Sequence, residues 1–403
     1  MPFPVPFDPS RVRDPALRPI AERVRDGERL TGADAATLYR STDVLGVGAM
    51  ADAVNRARHG DVVTFAANQH INPTNVCVLR TTCAFCGYAR LPKEAGAYRY
   101  TLEQVLAEAA HAADGLTREF HIVGGLDMQA GLEYYTTMFR ALKANFPHVH
   151  IKALTAVEIA HLARIEKLSW TEVLVALREA GLDTMPGGGA ETFSAAVRER
   201  IADKKLGGAD YIGVHRAAHA LGIRSNCTML YGHVETLADR VEHLQMLRDL
   251  QDETGGFLAF IPLAYHPDDN ALGVQLGRQG TATTGLDDLR NLAVGRLFLD
   301  NFAHVKSHWI MVGQPVSQVA LHFGVNDLEG TVVREKIYHA VGARTSQAMS
   351  LDDILALIRG AGKIPAERDS FYRILRTFDG ASDAAGSASS AGTAAPPPVA
   401  GAA

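Results

Sequence analysis

Cysteine is scarce in this sequence, with four in 403 residues. So few thiols cannot make a disulfide framework, and the fold must rest on a packed core. The 47% hydrophobic content is enough for one large α/β barrel or two ordinary domains. No lysine–arginine run stands out, charges of both signs are interspersed, and the formal net charge is −5. That argues against a nucleic-acid-binding surface. No stretch approaches the roughly 18 uninterrupted apolar residues that a membrane-spanning helix needs. The opening "MPFPVPFDPSRVRDP" has early prolines and no apolar core, so it does not read as a secretory leader. The expectation is a cytoplasmic chain with neither nucleic acid nor membrane as partner.

Residues 1–60 carry helix-spaced apolar positions in "DPALRPIAERVRDGERL" and in the stretch ending "GVGAMADAVNRARHG". They are expected to form an N-terminal helical extension. From residue 61 the pattern changes to short β-like runs alternating with longer amphipathic ones. The strand candidates are "VVTFAANQHINPTNV", "EFHIVGG", "HVHIKALT", "GLDTMPGG", "IRSNCTMLYG", "GGFLAFIPLAY", "HVKSHWIMV" and a short "GVND". Such alternation argues for a parallel sheet with crossover helices. About eight βα units point to an α/β fold of the TIM type, a (βα)8 barrel over residues 61–378, with an open doubly wound sheet as the competing architecture. "REKIYHAVGARTSQAMSLDDILALIRGAGKIPAERDSF" is expected to supply closing helices. Residues 379–403 are small and almost uncharged, and are expected to form a disordered tail.

Polar and glycine-rich features gather where strands end: the cysteine loop, "VGGLD", "TAVEI", "MPGGGAE", "MLYGHVE" and "LAYHPDDN". In a parallel barrel all of them meet on the face where active sites are built. The "HRAAH" pair, His215 and His219, lacks the glutamate of a zinc-protease helix and is expected to be structural.

Three of the four cysteines lie in "CVLRTTCAFCGY", at the spacing C-x5-C-x2-C. Clustered thiolates bind zinc, copper(I) or iron–sulfur clusters. A structural zinc site wants four closed ligands, and no second CxxC pair is present to complete it. His70 or the distant Cys227 could be a fourth ligand, though neither has a motif spacing. Three thiolates from one loop suit a four-iron cluster with one iron left open. Burial as small apolar side chains suits isolated Cys227.

The loop, with Phe85 before its last cysteine and Tyr88 two residues after, resembles the radical S-adenosylmethionine (SAM) superfamily. The usual spacing there is C-x3-C-x2-C. Here the first spacer is two residues longer, and Leu79 stands where the first cysteine usually is. "NQHINPTNVC", "REFHIVGGLD", "MPGGGAETF", "SNCTMLYGHVET" and "VNDLEGTVVREKI" narrow the resemblance to the menaquinone/cofactor-F420 branch, and within it to the aminofutalosine synthases.

The resemblance covers about residues 10–378 and implies a radical SAM barrel. In it Cys77, Cys83 and Cys86 hold one [4Fe-4S] cluster per chain, and SAM is consumed as a substrate. SAM contacts are then expected from Phe85, Tyr88, Gly124, Gly125 and Glu191. Because Leu126 replaces the acid of the family's usual G-G-E, backbone carbonyls are expected to serve there. Acceptor contacts are expected from Arg90, Thr155, Gly188, Gly189, Asn226 and His233, with Arg90 and the glycine loop facing carboxylates. The implied reaction adds a deoxyadenosyl group to a small-molecule acceptor, with a reducing partner such as flavodoxin or ferredoxin.

Protein purified without oxygen is therefore expected to be brown, with about four irons per chain. Alanine at Cys77, Cys83 or Cys86 should abolish the colour, and Cys227→Ala should keep it. A colourless, zinc-loaded protein would overturn the cluster assignment.

Overall fold

In the computed structural model, residues 4–379 are described, apart from 111, 113, 114, 281, 333–335, 338 and 342–344. The expected tail lies outside the described residues from position 380 onward. The strands are β1 (Val62–Phe65), β2 (Asn68–Ile71), β3 (Glu119–Ile122), β4 (His150–Ala153), β5 (Thr184–Met185) and β6 (Arg224–Tyr231). They continue with β7 (Phe257–Ala264), β8 (His304–Ser307), β9 (Asp327–Leu328), β10 (Ile364–Arg368) and β11 (Ile374–Thr377). From β2 to β9 each strand pairs in parallel with the next in chain order. This is the connectivity of a (βα)8-type barrel.

The run from residue 62, expected as one strand, is one strand bent in two. Its lower half, β1, pairs with β10 and meets β9 at Thr64–Asp327, while its upper half, β2, pairs with β3. Above the bend, Val332 N–H donates to Asn68 Oδ1 (2.9 Å), and Thr331 Oγ1 donates to Asn68 O (3.1 Å). The first strand thus joins both ends of the curled sheet.

Five helices packed outside the strands begin with the same device. A Ser or Thr N-cap bonds reciprocally with an acid or Gln three residues on, which satisfies two backbone donors left open at a helix start. The pairs are Thr101/Gln104, Thr155/Glu158, Ser169/Glu172, Thr236/Asp239 and Thr284/Asp287. The N-terminal helices Arg18–Asp26, Gly32–Arg40 and Val44–His59 sit against the barrel. Val44–His59 packs on Gly285–Phe298, where the buried Tyr39 hydroxyl from Gly32–Arg40 also reaches Asn291 (2.7 Å). His215 and His219 share the hydroxyl of Ser225 (2.8 and 2.9 Å), between helix Gly208–Ala220 and the start of β6. Their role there is structural.

Two expectations fail for stated reasons. Among the described residues the closing region holds one α-helix, Leu351–Gly360, after the short 3-10 turn His339–Val341, and β10 and β11 follow rather than further helix. Its charges look solvent-directed at helical spacing. Yet Lys363 is buried on Asp61 (2.9 Å), and Arg368 is fully buried on Asp327 (2.7 and 2.8 Å). In "HVKSHWIMV" the strand ends at Ser307, and Trp309–Val312 form a helical turn. There the Trp309 indole N–H donates to the Glu329 and Gly330 carbonyls (3.1 Å each).

Asp327 accepts from Arg368, from Thr64 Oγ1 (2.7 Å) and from Tyr372 OH (3.0 Å), and both it and Arg368 are fully buried. Breaking such a pair leaves an uncompensated buried charge. Asp327→Ala is expected to lower unfolding free energy by about 3–5 kcal/mol, measurable as a drop in the denaturant midpoint.

Candidate active site

One cavity of about 310 Å³ runs from the strand-end loops down into the barrel. All three loop cysteines line it, together with Phe85 and Tyr88. The loop is fixed by its own backbone. Cys77 N–H donates to Arg90 O (2.9 Å), Val78 N–H to Leu126 O (3.0 Å), and Cys83 N–H to Leu79 O (2.9 Å). The two extra residues of the spacer are taken up in turns, Arg80 N–H to Cys77 O and Thr82 N–H to Leu79 O. Leu79 itself is buried in a small apolar cluster with Cys83, Leu126 and Val157. Burial pushes the Cys77 thiol up, and pushes the Cys83 thiol up to about 12 despite the nearby Lys205 cation.

Gly124 and Gly125 form the turn after β3. A Cβ on Gly125 would stand 2.1 Å from the Val76 carbonyl oxygen, and one on Gly124 would stand 2.8 Å from that of Thr74. Only glycine allows so close an approach. Both N–H groups are already used, Gly124 on Glu158 Oε1 (2.9 Å) and Gly125 on Thr74 O (2.9 Å). What the turn offers a ligand is carbonyl oxygen. Glu158 also accepts from Thr155 N–H and Oγ1 (2.7 Å each), so its helix cap and the glycine turn share one carboxylate. Burial outweighs those donors and raises the Glu158 carboxyl to about 7.

The loop after β5 brings Gly187, Gly188, Gly189 and Glu191 to the same cavity. A Cβ on Gly187 would lie 2.5 Å from the Cα of Cys227, which places the fourth cysteine behind this loop and away from the other three. The Gly187 carbonyl accepts from Tyr211 OH and Thr228 Oγ1 (2.7 Å each). Glu191 holds φ of 50°, a left-handed conformation rare outside glycine and asparagine. Its carboxylate pairs with Lys205, whose ammonium lies 5.2 Å from the Phe85 ring centroid. Burial opposes the charge of Lys205, but Glu191 and Cys83 outweigh it and its pKa is raised. The sequence reading missed Lys205, and "DKKLGG" carries no signal to set it apart.

Deeper in the cavity the lining becomes charged: His70, His121, Lys152, Lys306, His308 and Glu329. Lys152 pairs with Glu119 (2.7 Å), and Lys306 with Glu329 (3.2 Å) and Asp327 (3.5 Å). The His70 and His121 rings stack at 4.6 Å. Burial, then the neighbouring His70 and Lys152, keep His121 neutral. Apart from His70, which was expected only as a possible fourth metal ligand, these residues were missed, though a signal existed. Lys152 and Lys306 fall within strands directly after the apolar Ile151 and Val305, and a charge within a barrel strand can point only inward or into a helix layer.

Of the residues expected at the ligands, Phe85, Tyr88, Gly124, Gly125, Thr155, Gly188, Gly189, Glu191 and Asn226 all line this cavity. Asn226 is 2% exposed, and its Oδ1 has no hydrogen-bond partner among the described residues. Two expected residues are elsewhere. Arg90 turns its Nη1 onto the carbonyls of Gly87 (2.7 Å) and Ala89 (2.8 Å), so it braces the cysteine loop rather than meeting a carboxylate. His233 is buried against Leu230 O (3.1 Å) and Glu235 (3.2 Å), on a separate cavity beside Arg240.

Residues 71–247 match the family model of the radical SAM superfamily, and residues 254–379 match that of the CofH/MqnC C-terminal region. Aminodeoxyfutalosine synthase of Thermus thermophilus is 45% identical over 368 residues, 91% of this chain and 98% of that protein. The chain belongs to the radical SAM superfamily. Cyclic dehypoxanthine futalosine synthase of Streptomyces coelicolor is 39% identical over 367 residues, 90% of each. A methylornithine synthase structure shares the fold, with a TM-score of 0.67 at 16% identity over 86% of this chain and 96% of that one. The protein is thus a radical SAM enzyme. Among the described residues, no helix is long and apolar enough to cross a membrane.

The family implies an iron–sulfur cluster and SAM, and the donor set fits. Three soft sulfur donors and a buried ammonium share one cavity wall. Among the described residues no three His, Cys, Asp or Glu side chains converge on one ion.

Glu158 gives a pH signature. Its carboxyl is raised from 4.5 to about 7 in the fold, so the protonated form is favoured there. The stability it contributes is full below about pH 4.5, declines as pH rises, and is gone above about 7. Between those limits the wild type should lose roughly 3 kcal/mol that Glu158→Gln does not lose, read from denaturation midpoints of the two proteins across that range.

Proposed function

We propose that the enzyme joins the 5′-deoxyadenosyl group of SAM to 3-[(1-carboxyvinyl)oxy]benzoate, giving 6-amino-6-deoxyfutalosine, methionine and bicarbonate, as in the futalosine route to menaquinone. The observation that supports it most is a single cavity with thiols and a glycine turn at its mouth and cationic side chains at its floor. The identity to aminodeoxyfutalosine synthase over nearly that protein's whole length supports the same reading. The bond between C5′ and the SAM sulfur breaks and C5′ bonds to the vinyl CH2; the aryl group then moves from the ether oxygen to the adjacent carbon, which becomes a ketone as its bond to the carboxylate breaks. The enol carboxylate leaves with one water as bicarbonate and a proton. No net electrons are consumed, so reductant serves to start turnover.

When bound through Cys77, Cys83 and Cys86, the cluster supplies the electron that opens the SAM carbon–sulfur bond. The chain does the rest by placement. The Gly124–Gly125 turn presents carbonyl oxygens suited to an ammonium, and the strained Glu191 backbone sets its carboxylate against Lys205 beside Phe85. Asn226 offers an unpaired amide oxygen to a hydroxyl or amine of either ligand. Val123, Ile261, Leu263 and Met311 form apolar wall between mouth and floor. Such a wall suits an arene and keeps water from a reactive carbon radical.

Cluster-loaded enzyme given SAM, dithionite and the acceptor should form 6-amino-6-deoxyfutalosine by mass spectrometry, with at most a trace of free 5′-deoxyadenosine. Stoichiometric 5′-deoxyadenosine, with turnover of dehypoxanthine futalosine instead, would move the enzyme to the cyclase reading that its 39% relative represents.

A further inference from the structure

The floor of the cavity is built unlike a structural ion-pair layer. Lys152 and Lys306 are buried, with side chains 1% and 3% exposed, and both line the cavity. Glu119, the counter-ion of Lys152, does not line it. Its carboxylate is held from behind by Ser370 Oγ (2.5 Å). Glu329, the counter-ion of Lys306, does line the cavity, but its carboxylate is anchored by the amide of Asn68 (2.7 Å). Among the described residues each ammonium makes one hydrogen bond to a carboxylate, Lys152 to Glu119 and Lys306 to Glu329, and Lys306 also lies 3.5 Å from Asp327. An ammonium has three donors. Two cations therefore line one cavity with donor capacity unspent and their counter-ions anchored to the wall. They are close enough to act on each other: after burial, and against the pull of Glu119, the charge of Lys306 helps lower the Lys152 pKa. A planar anion placed between them would relieve that repulsion and take up the open N–H groups.

We infer that Lys152 and Lys306 form a seat for an aryl carboxylate at the floor of the barrel, and that this seat sets how deep the acceptor enters. The apolar wall above it, Val123, Ile261, Leu263 and Met311, is where the ring would lie. A substituent meta to the carboxylate then points up toward the thiols. The identity of the acceptor rests on the function proposed above, whereas the seat itself requires only a flat ring bearing a carboxylate. Lys152 and Lys306 are thereby specificity-determining residues, and the expectation that Arg90 meets the acceptor's carboxylate is replaced by this pair.

The test uses cluster-loaded, unreduced enzyme with SAM and two probes of equal shape, 3-methoxybenzoate and 3-methoxybenzamide, by anaerobic calorimetry. The wild type should bind the benzoate at least ~10-fold more tightly than the amide, the scale of a charge-assisted pair. Lys306→Met/Glu329→Gln and Lys152→Met/Glu119→Gln each remove a cation together with its counter-ion, which spares the fold an orphaned charge. Both should shrink the preference below about threefold while leaving SAM affinity within about twofold. A wild type that binds the amide equally well overturns the seat, and that comparison needs no variant to fold. Folded double variants, checked by circular dichroism, that keep the full preference also overturn it. Product formation with no benzoate preference would sink the seat and leave the proposed function standing. A clear preference without formation of 6-amino-6-deoxyfutalosine would do the reverse.

Discussion

One buried carboxylate, Asp327, stands where the curled sheet meets itself. It receives Arg368 from β10, the Thr64 hydroxyl from β1 and the Tyr372 hydroxyl, and lies 3.5 Å from Lys306 of β8. Burying an unpaired carboxylate is prohibitive, so these partners must arrive together for any to be tolerated. The demand brings the first, eighth, ninth and tenth strands into one place. It also fixes Lys306, through which closure of the barrel and the floor of the cavity are coupled.

Above that floor the barrel changes character by layers. Ion pairs lie deepest, an apolar collar follows, and thiols, glycine turns and the Lys205–Glu191 pair form the mouth. Each layer suits a different part of the chemistry: anion recognition below, a dry wall for a reactive carbon in the middle, electron entry above. The enzyme need not move its own groups to bring these together, because consecutive positions on the same strands already supply them. β4 gives Lys152 near its end, and Thr155 follows at the mouth on the next helix cap.

The barrel was legible because its strands are short, apolar and spaced by amphipathic helices, and the strand-end loops were legible because glycine clusters there. The bend at Ala66–Ala67 was not, since both halves of the first strand are equally buried and periodicity carries no mark of the change of partner. β10 was read as helix because its charges fall at helical spacing, and only the tertiary pairing of Lys363 and Arg368 shows that they point inward. At the site, residue type alone marked the cysteines and the glycine loops that line the cavity. Arg90 and His233, marked in the same way, lie outside that cavity and bond to nearby backbone and side-chain partners. Residue type also passed over Lys152 and Lys306, whose meaning depends on which face of a buried strand they occupy.

The contact between Gly125 and the Val76 carbonyl has a mechanical consequence. The thiol-bearing loop and the glycine turn touch backbone to backbone, with no side chain between them to compress or swing aside. They form one rigid bracket carried by two strands. A shift of either one must carry the other with it, which ties the thiols to whatever the turn holds at one spacing.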